Sequence, residues 1–273
     1  MSGSIYVVLR AHASANGKAR PEWFTKEACV ASLLNSIEFA RGRGVTVESV
    51  AFVDEAAGPM RGQLKGLVGR FDRIVTYRAG SSRRSWQRHL RMLHNLVPVS
   101  ADDVIYLVED DHLHSEHAIH ALSELPTEYG LLYSISKDVD KVLSDNEYRW
   151  VSTKRGVSSF ALSGRAFRRD WRLLSLLAYA GPAFDYLTWN VVKGKTYFSV
   201  REILLPFNPT PPFTKTNLLK SLWQVGWRTI CNVLSFARPA TEIAALAPSG
   251  STHAELGWLA PLVDWQSVAR QAE

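Results

Sequence analysis

The sequence lacks most of the features that mark secreted, membrane-spanning or disulfide-rich proteins. Only two of its 273 residues are cysteines, Cys29 and Cys231, and they lie far apart in segments with helical patterns. We therefore expect neither a disulfide framework nor a cysteine-based zinc site. No uninterrupted apolar stretch approaches the roughly 20 residues of a membrane-spanning helix. The N-terminus passes from MSGS directly into IYVVL, which predicts no signal peptide and a cytoplasmic protein.

Sequence motifs for nucleic-acid binding are also missing, although the net charge is +6. Basic charge alone is weak support for a partner, so we predict no nucleic-acid ligand. The hydrophobic content of 46% is enough for a sizeable core. A chain of this length suits one large domain, or one domain with an appendage.

Strand-like and helix-like segments alternate through the first half of the chain. Short branched apolar runs begin near Ser4, Val45, Phe71 and Val104, and helical patterns separate them. This alternation predicts an α/β fold with a mostly parallel sheet and crossover helices. The helix that begins near Ser81 carries four arginines on its polar faces.

The second half of the chain has a less regular pattern. A short helix capped by Ser115 is followed by the strand YGLLYSI, and YRWVST and GVSSFALS resemble two strands joined by a basic turn at 154–156. TYFSV is interpreted as a last short strand. These segments predict a mixed second half of the sheet.

The character of the chain changes after residue 202. Residues 203–241 contain four basic residues and no acidic one. We therefore predict a domain over 1–202, with halves at about 1–114 and 115–202, and a C-terminal helical and loop appendage over 203–273 that packs on it. The amphipathic pattern over 216–236 has two interpretations: a helix that docks on its own domain, or a helix in peripheral contact with an anionic membrane.

The stretch VIYLVEDDHLHSEH, residues 104–117, places carboxylates directly after a buried strand. Arg10 and Ala11 follow the first strand, Asp54 the second, and Glu109, Asp110 and Asp111 the fourth. A parallel sheet brings these strand ends to one edge, which is where open α/β sheets bind ligands. The alternative for the acidic triplet is a solvated strand end.

At this point the chain resembles a GT-A fold, family-2-like glycosyltransferase, over about residues 4–200. That family has a Rossmann-like half that binds a nucleotide sugar, an Asp-x-Asp-like motif at a strand end, and a mixed half that binds acceptor. Here EDD stands where that motif belongs. The resemblance implies a divalent cation, Mn²⁺ or Mg²⁺, that neutralises the diphosphate leaving group.

The resemblance also implies roles for individual residues. It implies that Asp111 and the C-terminal His253 bind the metal, with a surface-loop histidine as the alternative for His253. It implies donor contacts from the strand ends: Arg10 or Ala11 at the base, Asp54 at the nucleotide, and Glu109 or Asp110 at the ribose or donor sugar. Asp185 in GPAFDYLTW matches the catalytic base of inverting members, although they more often have a second acid beside it. The alternative for Asp185 is an ordinary acid at a helix start.

Further residues are candidates on chemical grounds. Arg83 and Arg84 begin a helix and could pair with diphosphate, or else belong to a solvated helix face. Trp150 could stack on an acceptor sugar, and Ser158 and Ser159 offer hydroxyls beside it. We thus predict a nucleotide-sugar donor, a carbohydrate or lipid-linked acceptor, and a role in surface polysaccharide or glycolipid synthesis.

Three other functions stay open at this stage. Asp110, His112 and His114 alternate and could chelate a transition metal, which would suit a metallohydrolase. A nucleotidyltransferase would use the same carboxylates, but RAHASANGKARP has only one glycine where a phosphate loop is expected. A non-catalytic module that binds a sugar or a partner would keep the fold without metal dependence.

Overall fold

The computed structural model describes residues 3–14, 20–133, 141–153, 157, 159–195, 197–204, 215–253 and 263–272. The helices are α1 (Lys26–Gly42), α2 (Gly62–Val68), α3 (Ser82–Leu96), α4 (Ala118–Ala121), α5 (Gly164–Leu177), α6 (Phe184–Lys193), α7 (Val200–Leu204), α8 (Lys215–Phe236) and α9 (Trp265–Ala272). The strands are β1 (Ile5–His12), β2 (Val47–Asp54), β3 (Arg73–Tyr77), β4 (Val104–Glu109), β5 (Leu113–His114), β6 (Tyr129–Leu131), β7 (Val142–Asp145), β8 (Arg149–Ser152), β9 (Phe160–Ser163), β10 (Ile243–Leu246) and β11 (Ser251–Thr252).

Nine of these strands form one sheet in the order β3-β2-β1-β4-β9-β6-β10-β8-β7. The first four pair in parallel, in the strand order of one half of a Rossmann fold. Strand β9 is antiparallel to β4 and β6, and β8 is antiparallel to β10 and β7. Because the other seven strands share one direction, the predicted α/β fold, with a mostly parallel sheet and a mixed second half, is confirmed.

Strand β1 lies at the centre of the parallel half and is buried on both faces. Ile5, Val7 and Leu9 pack in one apolar layer with α1 and α2, while Tyr6 and Val8 pack in the opposite layer with α3 and α5. Full burial of one such side chain contributes about 1.5–3 kcal/mol. This two-sided burial is why the strand reads as a continuous apolar run.

Several local predictions for the second half were wrong. Strands β8 and β9 do not form a hairpin, because β9 lies between β4 and β6 while β8 pairs with β10 and β7; the turn predicted at 154–156 lies outside the described residues. The segment predicted as a last strand instead leads into α7, which begins at Val200. The amide of Asn232 bonds both the N–H and the C=O of Phe198, so this segment needs no strand partner. Ser115 precedes α4, whose N-cap is His117.

The segment after residue 202 contributes to the sheet as well as to helices. Strand β10 lies inside the main sheet between β6 and β8, and β11 pairs with β5. Helix α8 packs on α6 and α7, and α9 packs on α1. The predicted appendage is therefore not limited to helices and loops, while the domain boundary at residue 202 stays a prediction.

Candidate functional site

The ends of β1, β2 and β4 lie side by side at one edge of the sheet. The parallel register places Arg10 opposite Glu109, and His12 opposite Asp54. A cleft of about 370 Å³ opens at this edge. It is lined by Arg10, His12, Ser14, Asp54, Ala56, Ala57, Gly80, Ser81, Ser82 and Ser85. The turn before α3 forms one wall, and Gly80 adopts φ of 74° there, a conformation that favours glycine.

Glu109, the last residue of β4, and Asp110, directly after it, are each paired with a cation at this edge. Glu109 forms an ion pair with Arg10, whose Nη1 also donates to the backbone oxygen of Ser82 at 3.3 Å. Asp110 is 3% exposed and accepts from Lys26 Nζ at 2.7 Å and from the backbone N–H of His12 at 2.9 Å. Burial raises the pKa of Asp110, against the charge of Lys26.

Asp111 is the centre of a second group of side chains. Its Oδ2 lies 2.7 Å from Arg20 Nη2 and 3.0 Å from His253 Nε2, and its Oδ1 lies 4.0 Å from His112 Nε2. The ladder between β5 and β11 brings the distant His253 here, because it pairs the residues just after His112 with those just before His253. Potential ligand atoms of Asp111, His112 and His253 all lie within 4.8 Å of one another.

The charge states in this group suit a metal ligand. Burial alone would raise the pKa of Asp111, but hydrogen bonds from His253 and Arg20 and the charge of His112 hold it well below its ordinary value. Burial lowers the pKa of His112 to about 4. At neutral pH, Asp111 is therefore ionised and His112 is neutral, which are the forms that bind a metal.

The Asp111, His112 and His253 cluster could hold a divalent cation. His112 is 2% exposed, and its buried Nδ1 has no hydrogen-bond partner among the described residues. A carboxylate with two imidazoles suits first-row transition ions better than Mg²⁺, which prefers oxygen ligands. Of the two predicted cations, Mn²⁺ therefore fits this donor set better.

Some predicted residues do not reach the cleft. Ala11 is fully buried. The guanidinium of Arg83 lies over the ring of Tyr179, 4.7 Å from its centroid, and Arg84 lines a different cleft. The donor contacts predicted for Arg83 and Arg84 do not fit this placement, because these side chains project from another face of α3 than Ser82 and Ser85, which line the cleft at the sheet edge.

The predicted acceptor residues and base have mixed outcomes. Trp150 is 0% exposed in the core, so it has no free face for a sugar, and its predicted stacking role does not fit. Ser159 is buried and its hydroxyl accepts from the N–H of Glu109, while Ser158 lies outside the described residues. Asp185 is the second residue of α6, but its side chain lies outside the described part, so its role as base stays a prediction.

Two cations of the site, Arg20 and Lys26, were missed by sequence reasoning, whereas Arg10 was predicted. Arg20 and Lys26 lie 91 and 84 residues from their carboxylates, and no local pattern links such distant positions. His12 is the last residue of β1, so its position at the strand end was the available signal. His112 was predicted as a metal ligand only together with Asp110 and His114, and not with the adjacent Asp111.

Asp110, His112 and His114, the alternating residues that suggested a metallohydrolase, do not form one metal-binding group. His114 is fully buried, and its Nε2 lies 2.9 Å from the hydroxyl of Tyr106. The carboxylate of Asp110 accepts hydrogen bonds from Lys26 Nζ and from the backbone N–H of His12. Within the described residues, His112 shares a metal-binding group with Asp111 and not with these two.

Comparisons with known proteins identify no family for this chain. No protein-family model matches the chain, and no curated protein matches it. Matching solved structures include the crystal structure of 4-diphosphocytidyl-2C-methyl-D-erythritol synthase, at 12% identity and a TM-score of 0.38, over 63% of this chain and 81% of that one. At this level of similarity the match carries no inference about function.

Proposed function

We propose that the protein is a metal-dependent glycosyltransferase that moves a sugar from a nucleotide-sugar donor to an acceptor hydroxyl with inversion of configuration. The observation that carries this proposal is the cluster of Asp111, His112 and His253. Asp111 follows Asp110 directly in the chain, while Asp110 itself bonds His12 in the wall of the cleft at the carboxyl edge of the sheet. A bound divalent cation would neutralise charge on the diphosphate leaving group.

The remaining side chains suit an anionic donor. The three carboxylates at the end of β4, Glu109, Asp110 and Asp111, each have a cation of their own. These cations are Arg10, Lys26 and Arg20, in that order. This compensation removes much of the repulsion that three bare carboxylates would exert on a diphosphate. Asp54 is held by two backbone N–H groups, those of Ala56 at 3.0 Å and Ala79 at 3.1 Å. It is therefore a fixed acceptor in the wall of the cleft, suited to the nucleotide.

Binding is tested first. The unfolding temperature is measured with a panel of nucleoside diphosphates and nucleotide sugars, with Mn²⁺ or with a chelator. We expect one nucleotide class to stabilise the wild type by several degrees in Mn²⁺ only, and Asp111→Asn to lose this response. Asp145→Asn removes an exposed carboxylate of β7 and is the matched control. A panel without any stabilising nucleotide would contradict the proposal.

Product analysis separates glycosyl transfer from nucleotidyl transfer, since both use carboxylates and a metal. A glycosyltransferase releases a nucleoside diphosphate from a nucleotide sugar, whereas a nucleotidyltransferase releases pyrophosphate from a nucleoside triphosphate. Pyrophosphate release with a triphosphate and a phosphorylated substrate would establish the alternative.

A membrane surface is the proposed location of the acceptor, through the outward face of α8. Trp223, Val233 and Phe236 are 54%, 67% and 66% exposed on this face. The one charged side chain between residues 222 and 237, Arg228, is buried and donates to the backbone oxygen of Ile203 at 3.4 Å. Lys195 Nζ lies 4.5 Å from the ring centroid of Phe236, and an apolar helix face beside a cation suits the surface of an anionic bilayer. No helix of the described residues is long and apolar enough to cross one.

Vesicle sedimentation tests this contact. We expect the wild type to sediment with phosphatidylglycerol vesicles at low salt, and the double variant Trp223→Ser, Val233→Ser to stay in the supernatant. Leu96→Ser, at a residue 40% exposed at the end of α3, is the matched control. Equal sedimentation of all three proteins, or dimerisation through α8 without vesicle binding, would overturn the membrane proposal.

A further inference from the structure

A second cleft, of about 360 Å³, lies between α3 and α5 and is lined largely by arginine. Its lining residues are Arg84, Gln87, Arg88, Arg91, Trp171, Ser175 and Tyr179. The three arginines are spaced four and three residues apart, so they project from one face of α3 over two turns. No acidic residue is among the lining residues, and α3 itself contains none.

The floor and wall of this cleft are fixed by contacts between the two helices. Trp86 Nε1 donates to the backbone oxygen of Leu174 at 3.2 Å, and Gln87 Nε2 donates to that of Ser175 at 3.0 Å. His94 stacks on the ring of Trp171 at a centroid distance of 4.5 Å. The arginines therefore project from a rigid helix pair, which lowers the entropy cost of binding a ligand between them.

The charge of these arginines is not compensated by carboxylates. Within the described part of the chain, no ion pair involves Arg84, Arg88 or Arg91, nor the neighbouring Arg83 and Arg172, whose guanidiniums lie over Tyr179 and Trp171. Among the described residues, six other arginines pair with carboxylates, namely Arg10, Arg20, Arg41, Arg43, Arg169 and Arg238. Arg73 instead donates to the backbone oxygen of Leu96, and Arg88 of the cleft donates to that of Arg78. A group of like charges without counterions raises the free energy of the folded protein, and an anionic ligand would relieve it.

We propose that the cleft between α3 and α5 is a binding site for a phosphate-bearing ligand, separate from the donor cleft. Three guanidiniums carry three positive charges, which suits a phosphate or diphosphate group better than a single carboxylate, and guanidinium binds phosphate oxygens in pairs. Trp171 and Tyr179 also line the cleft, with the guanidiniums of Arg172 and Arg83 over their rings. The phosphate belongs either to a soluble phosphorylated sugar or to a phospholipid headgroup.

The site is tested by calorimetric titration with inorganic pyrophosphate in the presence of a chelator, which prevents metal-dependent binding at Asp111. We expect the triple variant R84Q/R88Q/R91Q to bind pyrophosphate at least tenfold more weakly than the wild type, and Arg91→Gln alone to bind severalfold more weakly. Arg70→Gln removes an exposed arginine after α2 and is the matched control. Asp111→Asn should retain wild-type pyrophosphate binding.

The two sources of phosphate are separated by repeating the titration with glucose 1-phosphate and the sedimentation with phosphatidylglycerol vesicles. If the triple variant loses binding of glucose 1-phosphate, the site is supported and its ligand is a soluble phosphorylated sugar. If it loses binding to the vesicles, the site is supported and its ligand is a phospholipid headgroup. Equal pyrophosphate affinity of the triple variant and the wild type, with circular dichroism showing both folded, would overturn it. So would pyrophosphate binding that is lost in Asp111→Asn, because the ligand would then occupy the donor site. Nucleotide binding with Mn²⁺ is measured on the triple variant as well. If it persists there, a loss of pyrophosphate binding is a property of the cleft between α3 and α5 and not of the proposed donor site.

Discussion

Arg20 is bound to the carboxylate that a metal would need. Its Nη2 lies 2.7 Å from Asp111 Oδ2 and 3.2 Å from His253 Nε2, and the Arg20 and Asp111 side chains are only 8% and 10% exposed. A cation that takes Asp111 Oδ2 and His253 Nε2 as ligands would displace this guanidinium. Metal binding and the ion pair between Arg20 and Asp111 are therefore competing events at one oxygen atom.

The size of this competition follows from the contact. A hydrogen bond to a charged group contributes about 1.5–3 kcal/mol, so removing it should improve metal binding by the same amount. We therefore expect Arg20→Gln to bind Mn²⁺ about 10- to 100-fold more tightly than the wild type, since each 1.4 kcal/mol is about tenfold. The measurement is calorimetric titration of Mn²⁺, checked by the paramagnetic resonance signal of the free ion.

Arg41→Gln is the matched control, because Arg41 forms ion pairs with Asp72 and Glu38 away from the site. Its Mn²⁺ affinity should equal that of the wild type. A folded Arg20→Gln protein with unchanged or weaker Mn²⁺ affinity would refute the competition, and would mean that the metal binds without Asp111 Oδ2.

Three further predictions concern stability and turnover. Asp170 is held by Arg238 at 2.6 and 2.7 Å and by Arg169 and Tyr129; burial would raise its pKa, but these bonds lower it to about 2. Asp170→Asn should lower the free energy of unfolding by about 3–5 kcal/mol at pH 7 in urea titrations, and this difference should shrink as the pH falls from 4 towards 2. His89 is fully buried between Phe52 and Trp86, neither ring nitrogen has a partner among the described residues, and burial lowers its pKa to about 3. Below pH 6.5 the unfolded chain therefore takes up a proton at His89 that the folded protein excludes. His89→Leu should remove the resulting destabilisation, about 2 kcal/mol at pH 5, in thermal unfolding. An equal pH dependence of the free energy of unfolding in both proteins would contradict this. Asp185→Asn should reduce turnover about 100-fold or more with unchanged nucleotide binding if Asp185 is the base, whereas nearly full turnover would make it a structural acid.

The residues at the edge of the sheet can be predicted from the sequence, because the carboxyl ends of neighbouring parallel strands lie at the same edge. Once β1, β2 and β4 are identified as parallel neighbours, the residues at their ends must meet, as Arg10, Asp54 and Glu109 do. The same rule cannot identify partners that arrive from other elements. Lys26 reaches Asp110 from the first turn of α1, and His253 reaches Asp111 through a two-residue ladder with β5.

Helix α8 shows a second limit of pattern reasoning. The periodic apolar residues correctly indicate an amphipathic helix, but the pattern alone does not say which face docks. The docking face uses Trp227 and Cys231 in an apolar cluster with α5 and α6. Asn232 on the same side bonds the backbone of Phe198. The amide of Asn232 therefore faces the domain because it finds partners there, while the apolar Trp223 and Val233 remain exposed.

The pairing of each carboxylate with its own cation explains how so much charge can lie at a strand end without a metal. An unpaired carboxylate at 3% or 7% exposure, as Asp110 and Asp111 have, would cost several kcal/mol. Lys26 and Arg20 offset that cost from within the chain, so folding of this edge does not require a bound cation. A metal bound by Asp111 through Oδ2 would replace only one of these partners, Arg20, and would leave Arg10 and Lys26 in position. The guanidinium released from Asp111 would remain tethered beside the cluster, where it would be available to the phosphates of the proposed donor.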